Sequence, residues 1–169
     1  MIGQWTRRAL SLGVAGMTCV AAPAQAAMEC WNPTQVAAAK VRDLQSRLMV
    51  ATLRCQAMGV DVAGAYNRFL AANRSTIQGA NAVLLAQFRA GFGGQALLHY
   101  DRFATSLANI YGDDATNEAI CGETAVLAEE AAAANGDIDA LVAIEDRLGF
   151  ATPLPGGQCS VSFASAGGN

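Results

Sequence analysis

The chain has 169 residues, of which 53% are apolar and 15% charged, with a net charge of −3, five cysteines and a single histidine. That length allows one small domain with a modest core. The acidic balance argues against nucleic acid or an anionic membrane surface as a partner.

Residues 1–26, MIGQWTRRALSLGVAGMTCVAAPAQA, place two arginines ahead of an apolar run that ends in Ala24-Gln25-Ala26. This is the pattern of a cleaved secretory signal peptide, and the run is too short and too weakly apolar for a permanent span. The expected mature protein is periplasmic or secreted in a bacterium, with no stable membrane anchor after cleavage. Gly16-Met17-Thr18 ahead of Cys19 does not form a lipoprotein box, and Ser11 interrupts the partial twin-arginine pattern of Thr6 to Leu10, which favours the general secretory route. The remainder divides into a helical domain, 27–152, and an extended tail, 153–169, tethered near Cys159.

Asn32 to Gly59 is the longest helical pattern, with Asn32 as N-cap, Pro33 at the first helical position and Gly59 closing the far end. Val41, Leu44, Leu48, Ala51, Cys55 and Met58 form its apolar stripe. Lys40, Asp43, Arg47 and Arg54 read as a solvated opposite side, on which Asp43 and Arg47 pair one turn apart. Asp61 then caps a second helix with Val62, Tyr66, Phe69 and Leu70 inward. Ser75 to Gln78 reads as a capping box opening a third helix, with Ile77, Ala80, Leu84 and Phe88 buried. After the turn Gly91-Phe92-Gly93-Gly94, a fourth helix carries Leu97, Tyr100, Phe103, Leu107 and Ile110 on one side and stops at Gly112. The alanine-rich segment Asp113 to Ala134 is helical in propensity, with Gly122 as a point of division and acidic residues at its start. Asn135-Gly136 turns the chain, Asp137 caps a last helix through Ile138, Leu141, Val142 and Leu148, and Gly149 ends it. Beyond it, only the part around Cys159 is expected to be fixed, with Ser165 to Asn169 frayed.

The fold class is therefore all-α, an irregular antiparallel helical bundle. Cys30, Cys55, Cys121 and Cys159 give an even set in an oxidising compartment, read as two disulfides. An unbroken first helix carries Cys55 roughly 30 Å from its start, whereas the three residues back to Cys30 return only about 10 Å, so Cys30 cannot pair with Cys55. Of the two remaining connectivities, Cys55–Cys121 with Cys30–Cys159 is preferred, because Cys55 faces the core and Cys121 lies within a later helix. Charge divides along the chain. From Ala27 to Ile110 there are eight basic and four acidic residues, and from Tyr111 onward ten acidic residues against Arg147 alone. Packing of the acidic helices beside the basic ones accounts for this more simply than a charged partner.

No catalytic set assembles in the sequence. His99 is a lone boundary histidine whose neighbour Asp101 does not share its face. Asn135 to Asp139 with Asp146 has some of the acidic spacing of a calcium loop, but Ala140 stands in place of the required glycine. Asp113, Asp114 and Glu118 make no better metal site. Glu129 and Glu130 diverge by about 100° on a helix and do not form a carboxylate pair. Gly91 to Gly94 follows no strand and reads as a turn, not an anion site. No metal or cofactor is implied. Tyr66, Phe69, Phe88, Tyr100 and Phe103 read as core, and are the residues expected to line an apolar pocket if the bundle has one.

The runs LQSRLMVATLRC, AYNRFLAANRSTI and YDRFATSLAN, with Cys121 beyond them, resemble a group of uncharacterised secreted bacterial helical proteins. The resemblance covers about half the chain. It implies a small exported helical protein that shares the Cys55–Cys121 bond, and it implies no catalytic or binding residue. The expected function is a non-enzymatic structural or binding role in the cell envelope, with an envelope protein or a second copy as partner. The alternatives are a small-molecule or metal binder, using an apolar cavity or the acidic C-terminal surface, and a hydrolase built on scattered carboxylates such as Asp101 and Glu130.

Overall fold

Asn32 and Pro33 start the longest helix as their chemistry requires. The Asn32 side chain accepts from the Gln35 backbone N–H at 3.1 Å, and the Gln35 side chain accepts from the Asn32 N–H at 2.8 Å, closing a capping box. The computed structural model describes residues 28–149 and 154–160. The signal-peptide segment, the boundary between domain and tail, and Ser165 to Asn169 lie outside the described residues.

Six α-helices follow one another: α1 (Pro33–Ala57), α2 (Ala63–Ala72), α3 (Arg74–Phe92), α4 (Ala96–Gly112), α5 (Glu118–Ala133) and α6 (Ile138–Leu148). A single 3₁₀ turn, Gly93–Gln95, links α3 to α4. The described residues form no strand, and the chain is an all-α bundle with α1 at its centre. All five other helices pack on α1, while α2 lies chiefly on α5, and α3 and α4 form a hairpin. Val41, Leu44 and Leu48 of α1 are fully buried together with Phe69, Leu84, Phe88, Leu107 and Leu141 from four of its neighbours.

Both disulfides form with the preferred connectivity, Cys30–Cys159 and Cys55–Cys121. In the chain-entropy model, loops of these lengths contribute about 4–5 kcal/mol each through the unfolded state. Such bonds belong to an oxidising, non-cytosolic setting. No described helix is long and apolar enough to cross a membrane.

Several sequence expectations need correction. Ser75 caps nothing: α3 begins one residue earlier, at Arg74, and the fully buried Asn73 before it serves a longer-range purpose. The Asn73 amide donates to the carbonyls of Phe69 at 3.0 Å and Ala131 at 2.8 Å, and its oxygen accepts from Gly136 N–H at 2.8 Å. One side chain thus joins the α2–α3 junction to the end of α5. The helix expected from Asp113 starts only at Glu118, capped by Asn117, and runs through Gly122 without division. On α4 the buried stripe is Ala96, Phe103, Leu107 and Tyr111, which leaves Leu97 and Ile110 exposed. Met58 is likewise exposed, because it follows the end of α1.

The described part of the tail, 154–160, is fixed by more than its disulfide. Trp31 is fully buried, with its ring 5.9 Å from those of Phe88 and Phe103. Its indole N–H donates to Pro155 O at 2.6 Å, its backbone N–H to Gly157 O at 2.8 Å, and its carbonyl accepts from Cys159 N–H at 3.0 Å. Gly156 lies so close to the Met28 backbone that an added Cβ would meet the Met28 carbonyl oxygen at 2.7 Å, and its φ of +84° also suits glycine.

Replacing Trp31 with Ala removes the largest buried side chain and releases the tail, a loss of about 3–5 kcal/mol expected from urea unfolding. The two disulfides should also differ in lability, since Cys30 is exposed and both Cys55 and Cys121 are fully buried. Under limiting reductant in native buffer, alkylation and peptide mapping should label Cys30 and Cys159 first; simultaneous labelling of Cys121 would contradict the protected core bond.

Candidate functional site

The sequence placed Asp43 and Arg47 on a solvated face. In the structure Asp43 is fully buried, because α4 and α6 cover that side of α1, and Arg47 is only partly exposed. Arg47 does not use Asp43 as its ion-pair partner. Its guanidinium donates to Glu145 Oε1 at 3.1 Å and to Gly149 O at 3.3 Å, and lies 4.5 Å from the centre of the Tyr111 ring. Tyr111 in turn donates to Asp43 Oδ1 at 2.8 Å.

Glu145 lies close enough to Asp43 inside this cluster to feel its charge. Each has one buried oxygen with no hydrogen-bond partner: Asp43 Oδ2 and Glu145 Oε2. Burial first, and then the Asp43 carboxylate, push the Glu145 carboxyl up to about 8 against the opposing pull of Arg47. Tyr111 is held well above the ordinary phenol value, first by burial and then by its bond to Asp43. The signal for Glu145 was present in the sequence. It shares a helix face with Leu141 and Leu148, at the spacing of a core position.

Arg47 also lines an open groove of about 620 Å³ between α1, α5 and α6. Ala51 of α1, Ile120 and Leu127 of α5, and Leu148 of α6 make its apolar surface, with the fully buried Leu48 beneath. Glu123 and Glu130 of α5, with Asp114 from the α4–α5 loop, supply acidic groups along it. A smaller pocket beside it, of about 60 Å³, lies against Arg54, which donates to Thr116 at 2.6 Å and to the carbonyls of Tyr111 and Gly112. Arg54 thereby satisfies the end of α4 and, like Arg47, is not a solvated charge.

The aromatics considered for a pocket are packed instead. Phe88 meets Phe103 at 5.5 Å and Tyr100 at 6.1 Å, Tyr66 meets Phe69 at 6.1 Å, and Tyr100 donates to Asn81 at 2.9 Å. None of these five lines the groove. His99 stacks flat on Phe92 with centroids 3.6 Å apart. Asp101 is exposed on α4. Glu129 binds Arg68 through both carboxylate oxygens, Glu130 meets Arg147 at 2.6 Å, Asp137 caps α6, and Asp146 pairs with Lys40. Among the described residues, no three or more His, Cys, Asp or Glu side chains are grouped to hold a metal ion. Three of the four ion pairs among those residues join the basic N-terminal half to the acidic C-terminal half, consistent with the internal reading of the charge division.

No family model matches the chain, nor does any curated protein or solved structure. Function is therefore read from this geometry.

The acid pair has a stability consequence whose sign is determined. The unfolded chain releases the Glu145 proton near the ordinary 4.5, whereas the folded chain holds it to about 8. The contribution is complete below pH 4.5 and is lost as pH rises through 8, with a slope of at most ~1.4 kcal/mol per pH unit. Glu145→Gln keeps a neutral hydrogen-bonding group in place and should flatten this dependence in urea titrations between pH 5 and 8. An unchanged slope in the variant would assign the proton to another group. Tyr111→Phe strips the donor from buried Asp43 Oδ1, at an expected cost of about 1–3 kcal/mol.

Proposed function

We propose that the chain is an exported, non-enzymatic protein of the bacterial envelope that binds a segment of another envelope protein in the groove between α1, α5 and α6. The observation that carries this reading is the groove itself. It is an apolar concavity opening to solvent, set on a helix that five others surround and that the Cys55–Cys121 bond ties to α5. Val126, on its edge, is 70% exposed, more than any other large apolar side chain described. An exposed apolar patch rimmed by polar groups is the usual mark of an interaction surface. The signal-peptide pattern and the two disulfides support export, and the resemblance to small secreted helical proteins fits the same role.

The volume of the groove favours one second reading. About 620 Å³ lies within the range of small-molecule sites, so an apolar metabolite is the alternative occupant.

Both readings meet in one experiment. A photo-crosslinking residue placed at Val126 should give a discrete protein adduct in the native cell, identified by mass spectrometry as an envelope protein. The same residue at Ala82, exposed on α3, should not. Equal adducts at both positions, or none at either, would remove the protein-binding role. Native mass spectrometry showing a small bound molecule, lost in a Leu127→Glu variant, would support the alternative.

A further inference from the structure

The stripe that α5 turns toward the groove alternates in character: Ile120, Glu123, Leu127, Glu130. From first to last it rises about 15 Å, the length of about three helical turns. The cation along the groove, Arg47, is already engaged by Glu145, the Gly149 carbonyl and the Tyr111 ring. The acids are not similarly occupied. Asp114 and Glu123 have no ion-pair partner among the described residues, and Glu130 has only the exposed guanidinium of Arg147. Neither does helix electrostatics account for Glu123, since Glu118 is the acid in the first turn of α5.

Gly122 adds an independent observation. It stands inside an alanine-rich helix, where glycine is the poorest former after proline, and it lines the groove. A Cβ added there would meet nothing within 4 Å, so no contact inside the fold calls for glycine. Its absent side chain instead leaves the groove open for close approach from outside, as small residues do where helix backbones meet.

We propose that the occupant of the groove is a basic amphipathic helix of about three turns from the partner protein. Its apolar face lies on Leu127 and Val126, its backbone passes close to Gly122, and its lysines or arginines meet Asp114, Glu123 and Glu130. This rests on the binding role proposed above and adds the shape and charge of the partner. An acidic segment of the same shape is repelled by the three carboxylates.

The test uses the full disulfide-bonded chain and two labelled helical peptides of equal length, one of leucine and lysine and one of leucine and glutamate, followed by fluorescence anisotropy. The leucine–lysine peptide should bind, more weakly as salt is raised, and the leucine–glutamate peptide at least about tenfold less tightly. Glu123→Lys should weaken leucine–lysine binding by about tenfold. Gly122→Leu should abolish it while leaving the melting temperature unchanged or higher, since leucine is the better helix former. Equal binding of both peptides overturns the basic-helix inference and leaves the groove as a binding site. Failure of both peptides, with a protein adduct at Val126, likewise overturns the inference alone; failure with no adduct removes the binding role too. Binding insensitive to Gly122→Leu and Glu123→Lys places the peptide elsewhere and overturns the inference. Self-association of the protein alone that Gly122→Leu abolishes would assign the groove to a second copy instead.

Discussion

A helix packed on by five others has no broad face left for water, and this constraint on α1 governs the rest of the structure. Its 25 residues include polar side chains at Asp43, Ser46 and Thr52 that are buried along with its leucines. Each such group costs free energy unless a neighbour satisfies it. Of the three, Asp43 alone is met by a hydrogen bond, and the Ser46 and Thr52 hydroxyls have none. Tyr111 comes from α4 to meet Asp43, and Glu145 from α6 to meet both Asp43 and Arg47. An apolar core tolerates small rotations of one helix against another, whereas a buried carboxyl pair with a tyrosine and an arginine on it has few alternative arrangements.

The same constraint explains where the sequence was readable. Some helix ends were legible because caps are local: Asn32, Asp137 and the glycines Gly93 and Gly149 act within one turn of themselves, whereas the starts of α3 and α5 were misplaced. The stripe of α3, Ile77 to Phe88, was legible because that helix has a true outer face. The polar side of α1 was misread for the opposite reason. Helical periodicity shows which residues share a face, but not whether a second layer covers it, and Asp43 is covered. Asn73 and Trp31 escaped for a related reason, since their partners are 58 and 124 residues away. No local pattern encodes such distances. Cysteine pairing was legible in part: the length of α1 eliminates one connectivity by reach alone, and the inward face of Cys55 only favoured one of the two that remained.

The groove was not legible at all, although some of its residues were. Leu48 and Ala51 appeared as core and Leu148 as an ordinary apolar position, while Ile120 and Leu127 stood unremarked in the alanine-rich segment. A concavity is a shortage of neighbours, and only the arrangement of α5 and α6 around α1 shows that shortage. The aromatics, which composition suggests for a pocket, fill the opposite role. Large rings seated against Trp31 and Phe88 leave the smaller aliphatic residues to border open space.

The Cys30–Cys159 bond encloses nearly the whole domain, whereas Cys55–Cys121 encloses only its middle. A chain delivered N-terminus first can therefore oxidise its central pair once α5 has emerged, but must hold Cys30 unpaired until its last turn arrives. During that interval Trp31 has no Pro155 or Gly157 to bind, and Cys30 is a free thiol while the Cys55–Cys121 bond is already made. The Cys30–Cys159 bond can close only when its second cysteine has appeared. It also leaves the two ends of the finished domain side by side, so that the chain could be joined there and reopened in a surface turn without rerouting any helix.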